Sequence, residues 1–185
     1  MILLIVLIVG AILLDQGSKL LAATFLAGKE TITLVPPRIL ELTYITNEGV
    51  AGGALAGNRF ATIFFPALGL LVLAIYLFRF CPKEKRYRIP LAAIFAGGIG
   101  NLVDRIFRGE VVDFISMPWL PWVQFKPFQF VDFPIFNVAD ICVTLGALAL
   151  IVVLVIDIIR DSKKKKPEAA EETAPEQKED DHEGD

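Results

Sequence analysis

The sequence predicts an all-α integral membrane protein: four transmembrane helices with a small extracytoplasmic β-sheet and an interfacial aromatic segment. Three observations carry that reading. Of the 185 residues, 55% are hydrophobic, and the mean hydropathy of +0.59 is high for a water-soluble chain. Four apolar segments approach the length of about 20 residues that a membrane-crossing helix needs. Between them lie outer segments with β-prone and aromatic character.

The first span runs from about Ile2 to Leu26 and is interrupted by Asp15, Ser18 and Lys19. It lacks a basic leader and a small-x-small cleavage signal, so it reads as a retained helix and not as a removed signal peptide. The second runs from about Phe60 to Phe80, the third from about Ile89 to Ile106 and the fourth from about Val138 to Ile159. Arg79 with CPKEKRYR follows the second span, and Arg160 with Lys163 to Lys166 follows the fourth. Basic loops stay on the cytoplasmic side. Both termini are therefore expected in the cytoplasm of a bacterial inner membrane, with 27–59 and 107–137 facing outward. Cys81 and Cys142 then lie at opposite ends of the bundle, too far apart to bridge.

The first outer segment, ITLVPPRILELTYIT, has two β-prone runs around Pro36-Pro37 and reads as a short hairpin or small sheet. The second holds Trp119, Trp122, Phe125, Phe128, Phe130, Phe133 and Phe136, broken by Pro118, Pro121, Pro127 and Pro134. Aromatic residues at this density suit the headgroup level, as a belt or as a docking rim for lipid or peptide. Two regions follow: a membrane domain at 1–160 and a charged tail at 161–185 that is expected to be disordered. The tail holds ten acids and five lysines, so the net charge of -3 leaves +2 on the body. Its lysines suit contact with anionic headgroups.

These totals exclude several functions. No basic face with interleaved aromatics appears, so nucleic acid is not expected as a partner. The single histidine, His182, lies in the tail. A Ser-His-Asp triad, a Cys-His pair and an HExxH zinc site each need one in the body. No metal or other cofactor is expected.

The polar residues at the outer ends of the spans carry the chemistry. NLVDRIFRGEVVDF places Asp104, Arg105, Arg108, Glu110 and Asp113 after the third span. FNVAD opens the fourth, with Asn137 at the N-cap and Asp140 at N3, as in a capping box. Asp113 and Asp140 are both expected near the outer surface between neighbouring helices. Two carboxylates that approach each other share a proton, one becoming acid and the other base. Such a pair activates water for attack on an amide. The helix dipole favours ionised Asp140, leaving Asp113 as the more readily protonated partner. The residues alone leave Asp104, Asp113 and Asp132 open as partners of Asp140. Asn101 and Arg105 share a helix face. Asp15 and Lys19 form an i, i+4 pair, a structural tie or a substrate contact. Asn47 precedes glycines that suit a tight turn and points into the site or simply enters a helix. A proton- or ion-coupled transporter is the main rival, since intramembrane acids also mark such paths.

The motifs DQGSK around Asp15 and Lys19, NEG at Asn47 to Gly49, GNLVDR at Gly100 to Arg105, VVDF around Asp113 and FNVAD ending at Asp140 together resemble the lipoprotein signal peptidase family, signal peptidase II. The resemblance covers Asp15 to about Ile159. It implies a membrane aspartic endopeptidase that cuts prolipoproteins on the amino side of a diacylglyceryl-modified cysteine at the outer face of the inner membrane. It also implies that Asp113 and Asp140 are the catalytic pair, with Asp15, Asn47, Asn101, Arg105 and Asn137 as supporting or substrate-binding positions. Diacylglyceryl-modified prolipoproteins and membrane lipids are the implied partners, and a monomer is expected. Three departures from the family pattern stand out: VAGGAL after NEG, Glu110 where histidine is frequent, and a longer, more aromatic stretch between Asp113 and Asp140.

Overall fold

In the computed structural model the described residues are 1–49, 57–119, 121–124 and 129–172. Side chains at 121–132 and 163–172 are left out of the description. Four helices are long and apolar enough to cross a membrane: Ile2–Phe25, Arg59–Phe80, Lys85–Phe107 and Val138–Ser162. The first is α1. The second comprises α2 (Arg59–Ile75) and a π-helical continuation, Tyr76–Phe80. The third is α3 (Lys85–Phe107). The fourth begins α4, whose helical backbone runs from Val138 to Glu172. The third helix starts four residues before its apolar run, because Lys85 to Arg88 form a polar first turn that needs no burial.

Large apolar side chains stay outside. Ile2, Leu13, Phe60, Val72 and Leu145 are all exposed. In water such a surface would be untenable, and in lipid it is the required one. Inside the unit spanning Met1–Leu150, Leu4 and Ile8 of α1 pack with Leu77, Leu91, Ala92 and Ala96. Cys81 is buried, and both cysteines are free.

The first outer segment folds as expected into an antiparallel hairpin, β1 (Ile32–Val35) with β2 (Leu40–Asn47). A third strand, β3 (Val111–Ser116), pairs antiparallel with β2 and completes the order β1-β2-β3. Sequence reading treated 107–137 as an aromatic segment and missed this strand. The strand is buried on both faces, so its residues do not alternate apolar with polar. Val112 and Phe114 of β3 pack with Ala22 and Leu26 at the end of α1. That contact seats the sheet on one end of the bundle. A further backbone hairpin pairs β4 (Pro121–Gln124) with β5 (Gln129–Asp132). Phe125 and Phe128, and the side chains of Trp122, Phe130 and Asp132, lie outside the described residues, as do 50–56 and 173–185.

Candidate active site

The site is built around the first turn of α4. Asn137 is its N-cap: the side-chain Oδ1 accepts from the Asp140 N–H at 3.0 Å, and the Asn137 N–H donates to Asp140 Oδ2 at 3.0 Å. This reciprocal pair is a capping box with aspartate at N3. It satisfies two N–H groups and fixes the Asp140 carboxylate against the helix start.

The other end of the same asparagine reaches β3. Asn137 Nδ2 donates to Asp113 Oδ1 at 2.7 Å and to the Val112 carbonyl at 3.3 Å. Asn137 is fully buried, so these bonds are shielded from competing water. Asp113 is only 3% exposed. One residue therefore holds both carboxylates, one through its backbone and one through its side chain. Asn47 Nδ2 approaches the second oxygen, Asp113 Oδ2, at 3.4 Å, and Asn47 Oδ1 accepts from the Gly49 N–H at 3.0 Å. Burial pushes the Asp113 carboxyl up to about 6, and the nearby Asp140 carboxylate adds to the effect against the hydrogen bonds from Asn137 and Asn47.

Asp140 has its own donor on α3. Asn101 Nδ2 donates to Asp140 Oδ1 at 2.8 Å. The side-chain oxygen of Asn101, Oδ1, accepts from Lys19 Nζ at 2.8 Å and from Asn137 Nδ2 at 3.2 Å. Lys19 is completely buried and lies 3.0 Å from Asp15 Oδ2 and 2.8 Å from Asp104 Oδ2. The opposite oxygen of Asp15 accepts from the Ala139 N–H at 2.9 Å. Asp15 thus ties α1 both to Lys19 and to the first turn of α4. The expected i, i+4 pair of Asp15 and Lys19 is present, with a second carboxylate added. That partner sits 85 positions away in the chain, so local spacing did not reveal it. A lysine inside an apolar span, which must find acceptors, was the available signal.

Asp104 is occupied from every side. Its Oδ2 faces Lys19 and the Val112 N–H, and its Oδ1 takes Arg108 and the Gln16 amide. Arg108 closes this cluster from the exposed side. Arg105 shares a face with Asn101 as expected, but its described hydrogen bonds go to backbone: Nη2 donates to the Gly49 carbonyl at 2.9 Å and Nη1 to the Asn101 carbonyl at 3.2 Å. It pairs with no carboxylate among the described hydrogen bonds and instead fastens the 47–49 turn to α3.

Asp113, Asp140, Asn47, Asn101 and Arg105 all line one cavity of about 930 Å³. Its remaining wall is apolar, from Leu70 and Leu73 of α2, Ile94 of α3, and Ile141 and Leu145 of α4. Among the described residues no group of three or more His, Cys, Asp or Glu side chains could hold a metal ion.

Four helices long enough to cross a membrane, with the buried Asp113 and the half-buried Asp140 beside an apolar cavity, define an integral membrane protein with a carboxylate site at one end of its bundle. Residues 7–156 match the family model of signal peptidase (SPase) II. The chain is 38% identical over 146 residues to the lipoprotein signal peptidase of Chlorobium phaeobacteroides, covering 76% of this chain and 82% of that protein. It is 35% identical over 156 residues to that of Clostridium acetobutylicum, covering 83% and 92%. A solved bacterial membrane enzyme structure superposes with a TM-score of 0.71 at 28% identity, covering 84% of this chain and 88% of the other. This chain belongs to the signal peptidase II family and is a multi-pass bacterial membrane peptidase.

Proposed function

We propose that this protein removes signal peptides from prolipoproteins as an aspartic endopeptidase, with Asp113 and Asp140 as the catalytic pair. The observation that carries the reading is that Asn137 joins the two carboxylates, donating to Asp113 at 2.7 Å and to Asp140 at 3.0 Å. The raised pKa of Asp113 supports its role as the protonated partner. Asp140, receiving N–H donors at a helix N-terminus, suits the ionised role. Asp104 is a poor alternative because its oxygens are taken up by Lys19 and Arg108.

Catalysis follows from that division. Asp140 accepts a proton from water as the water oxygen attacks the carbonyl carbon preceding the modified cysteine. Asp113 donates its proton to the carbonyl oxygen, which becomes the hydroxyl of a tetrahedral intermediate. Asp113, now ionised, takes a proton back from that intermediate as the C–N bond breaks, and Asp140 passes its proton to the departing cysteine nitrogen. Both carboxyls return to their starting states, and the net reaction is addition of one water across the peptide bond. Asn101, Asn137 and Arg105 keep the pair and the 47–49 turn in place, and Asp15 braces the α4 turn.

The apolar cavity suits a signal segment and acyl chains bound from the membrane, with the cleaved amide at the polar end. Diacylglyceryl-cysteine as the recognised residue agrees with an apolar wall directly beside two carboxylates. The protein acts as a monomer with both termini cytoplasmic and the site at the outer face. Residues 1–160 form the peptidase domain and 161–185 an appended charged tail. The test is cleavage of a diacylglyceryl-modified prolipoprotein by the purified protein, beside its unlipidated precursor. Cleavage of the lipidated form alone supports the reading. A folded protein that cleaves neither form, where a control peptidase cleaves, overturns it.

A further inference from the structure

A second cavity, of about 450 Å³, also borders on Asp113. The two cavities share Asn47, Asp113 and the Phe133–Ile135 segment. Their walls differ in kind. The larger is walled by the apolar faces of α2, α3 and α4. The smaller lies over the sheet and is lined by Glu41, Thr43, Ile45 and Asn47 of β2, with Thr31 and Arg38 beside them.

Those four β2 residues form the floor of the groove together, across a bulge in the pairing with β3 between Leu42 and Ile45. A strand rises about 3.3 Å per residue, so Glu41 to Asn47 spans roughly 20 Å, the length of about six extended residues. Hydrogen bonds hold the floor in place: Thr31 Oγ1 donates to Thr43 Oγ1 at 3.2 Å, and Thr33 Oγ1 to Glu41 Oε1 at 3.3 Å. At the far end Arg38 grips Glu41 with Nε and Nη2, at 2.8 and 3.3 Å. That hydrogen bond holds the Glu41 carboxyl below its usual value, and the groove ends at this ion pair. At the near end Asn47 and Asp113 stand at the proposed point of cleavage.

A peptide cut between two such cavities has chemically different halves. The segment before the bond is apolar and belongs to the membrane. The segment after the modified cysteine is the start of a water-soluble chain. We propose that this groove is the binding subsite for the mature side of the substrate: about six extended residues following the cysteine, laid along the Glu41–Asn47 face of β2. The inference rests on the peptidase reading above and adds to it a contact on the far side of the scissile bond. Its consequence is that turnover depends on the length of the chain beyond the cysteine.

The experiment uses synthetic lipopeptides that carry an apolar signal segment and a diacylglyceryl-cysteine. They end at the cysteine amide or continue for three or six residues. With wild type, kcat/KM rises about tenfold between the shortest and longest, the scale on which a few pocket contacts discriminate substrates. Thr43→Trp, which fills the groove, removes that rise while the shortest peptide is cut at the wild-type rate. That retained rate also shows that the variant is folded. Leu34→Trp, exposed on β1 and outside the groove, keeps the rise. A wild type that cuts all lengths equally overturns the subsite and leaves the peptidase reading standing. A rise that survives Thr43→Trp does the same. A wild type that cuts none of the lipopeptides overturns both.

Discussion

Lys19 Nζ donates to Asn101 Oδ1 at 2.8 Å, across 82 positions of sequence. The contact decides which end of the Asn101 amide faces the site. An ammonium group only donates, so the oxygen turns toward it and the NH2 group turns toward Asp140. Asn137 Nδ2 donates to the same oxygen at 3.2 Å and reinforces the choice. A buried cation on α1 therefore orients a carboxylate on α4 through an amide on α3.

Replacing Lys19 tests that chain of contacts. Lys19→Met keeps the length of the side chain but leaves Asp15 and Asp104, at 1% and 0% exposure, without their shared cation. Breaking a buried pair in this way costs about 3–5 kcal/mol. Thermal unfolding in detergent should show a large drop in midpoint. Cleavage measured well below the new midpoint should also fall, because the Asn101 amide is free to flip. Unchanged stability would mean that water or lipid reaches these acids.

The pair itself has a direct test. Asp113→Asn and Asp140→Asn each preserve shape while removing proton transfer, at the cost of one acceptor oxygen. Loss of a general acid or base lowers rates by about 10²–10⁴-fold. Each variant should fold, by unfolding midpoint, and fail to cleave the lipidated precursor. Activity retained in Asp113→Asn would transfer the role to another acid.

Asn137 separates capping from positioning. Serine is an equally good N-cap, but its side chain is too short to reach Asp113. Asn137→Ser should therefore keep the α4 start, with only a small shift in unfolding midpoint, and still lose most activity. Asn137→Ala should lose both, with a further stability cost of about 1 kcal/mol from the missing cap. Equal activity in wild type and the serine variant would show that the Asp113 contact is dispensable.

The pH dependence follows from the raised Asp113 value. If protonated Asp113 donates to the carbonyl oxygen, kcat/KM should fall as pH rises through about 6. Stability has the same sign. Between the ordinary aspartate range and about 6 the folded state binds more protons than the unfolded state, so this group's contribution declines as pH rises through that window. Asp113→Asn should flatten that part of the stability profile. A kcat/KM that climbs through pH 6 would reverse the assignment of acid and base.

Close packing of α3 on α4 gives a last prediction. A methyl group on Gly97 would sit 2.3 Å from the Ala139 carbonyl oxygen and 2.9 Å from Val143 Cγ2. The first is backbone, so the start of α4 has to move. Gly97→Ala should cost about 1–3 kcal/mol, as overpacking does, and should lower activity by shifting Asp140 from Asn101. Unfolding midpoints with a parallel cleavage assay check both effects.

Much of this protein was determined locally. Runs of apolar residues long enough for a bilayer fixed the four helices, because lipid tolerates no unsatisfied backbone and the length requirement is blunt. The Asn137–Asp140 cap was legible because a capping box closes within four residues. The Asp15–Lys19 pair was legible for the same reason, at one helical turn. The β1–β2 hairpin announced itself through its turn and flanking β-prone runs.

What the tertiary structure decided lies beyond that range. It put Asp113 on a strand seated against α1, where its periodicity gave no signal because both faces are buried. It gave Asp104 to Lys19 and Arg108, and it joined Asp113 to Asp140 through Asn137. It also turned Arg105 toward backbone carbonyls and opened two unlike cavities that both border on Asp113. The physical reason is common to all of these. A charge or amide buried away from water must find its partners wherever the packed helices bring them, and those partners stand up to 124 positions apart in the chain.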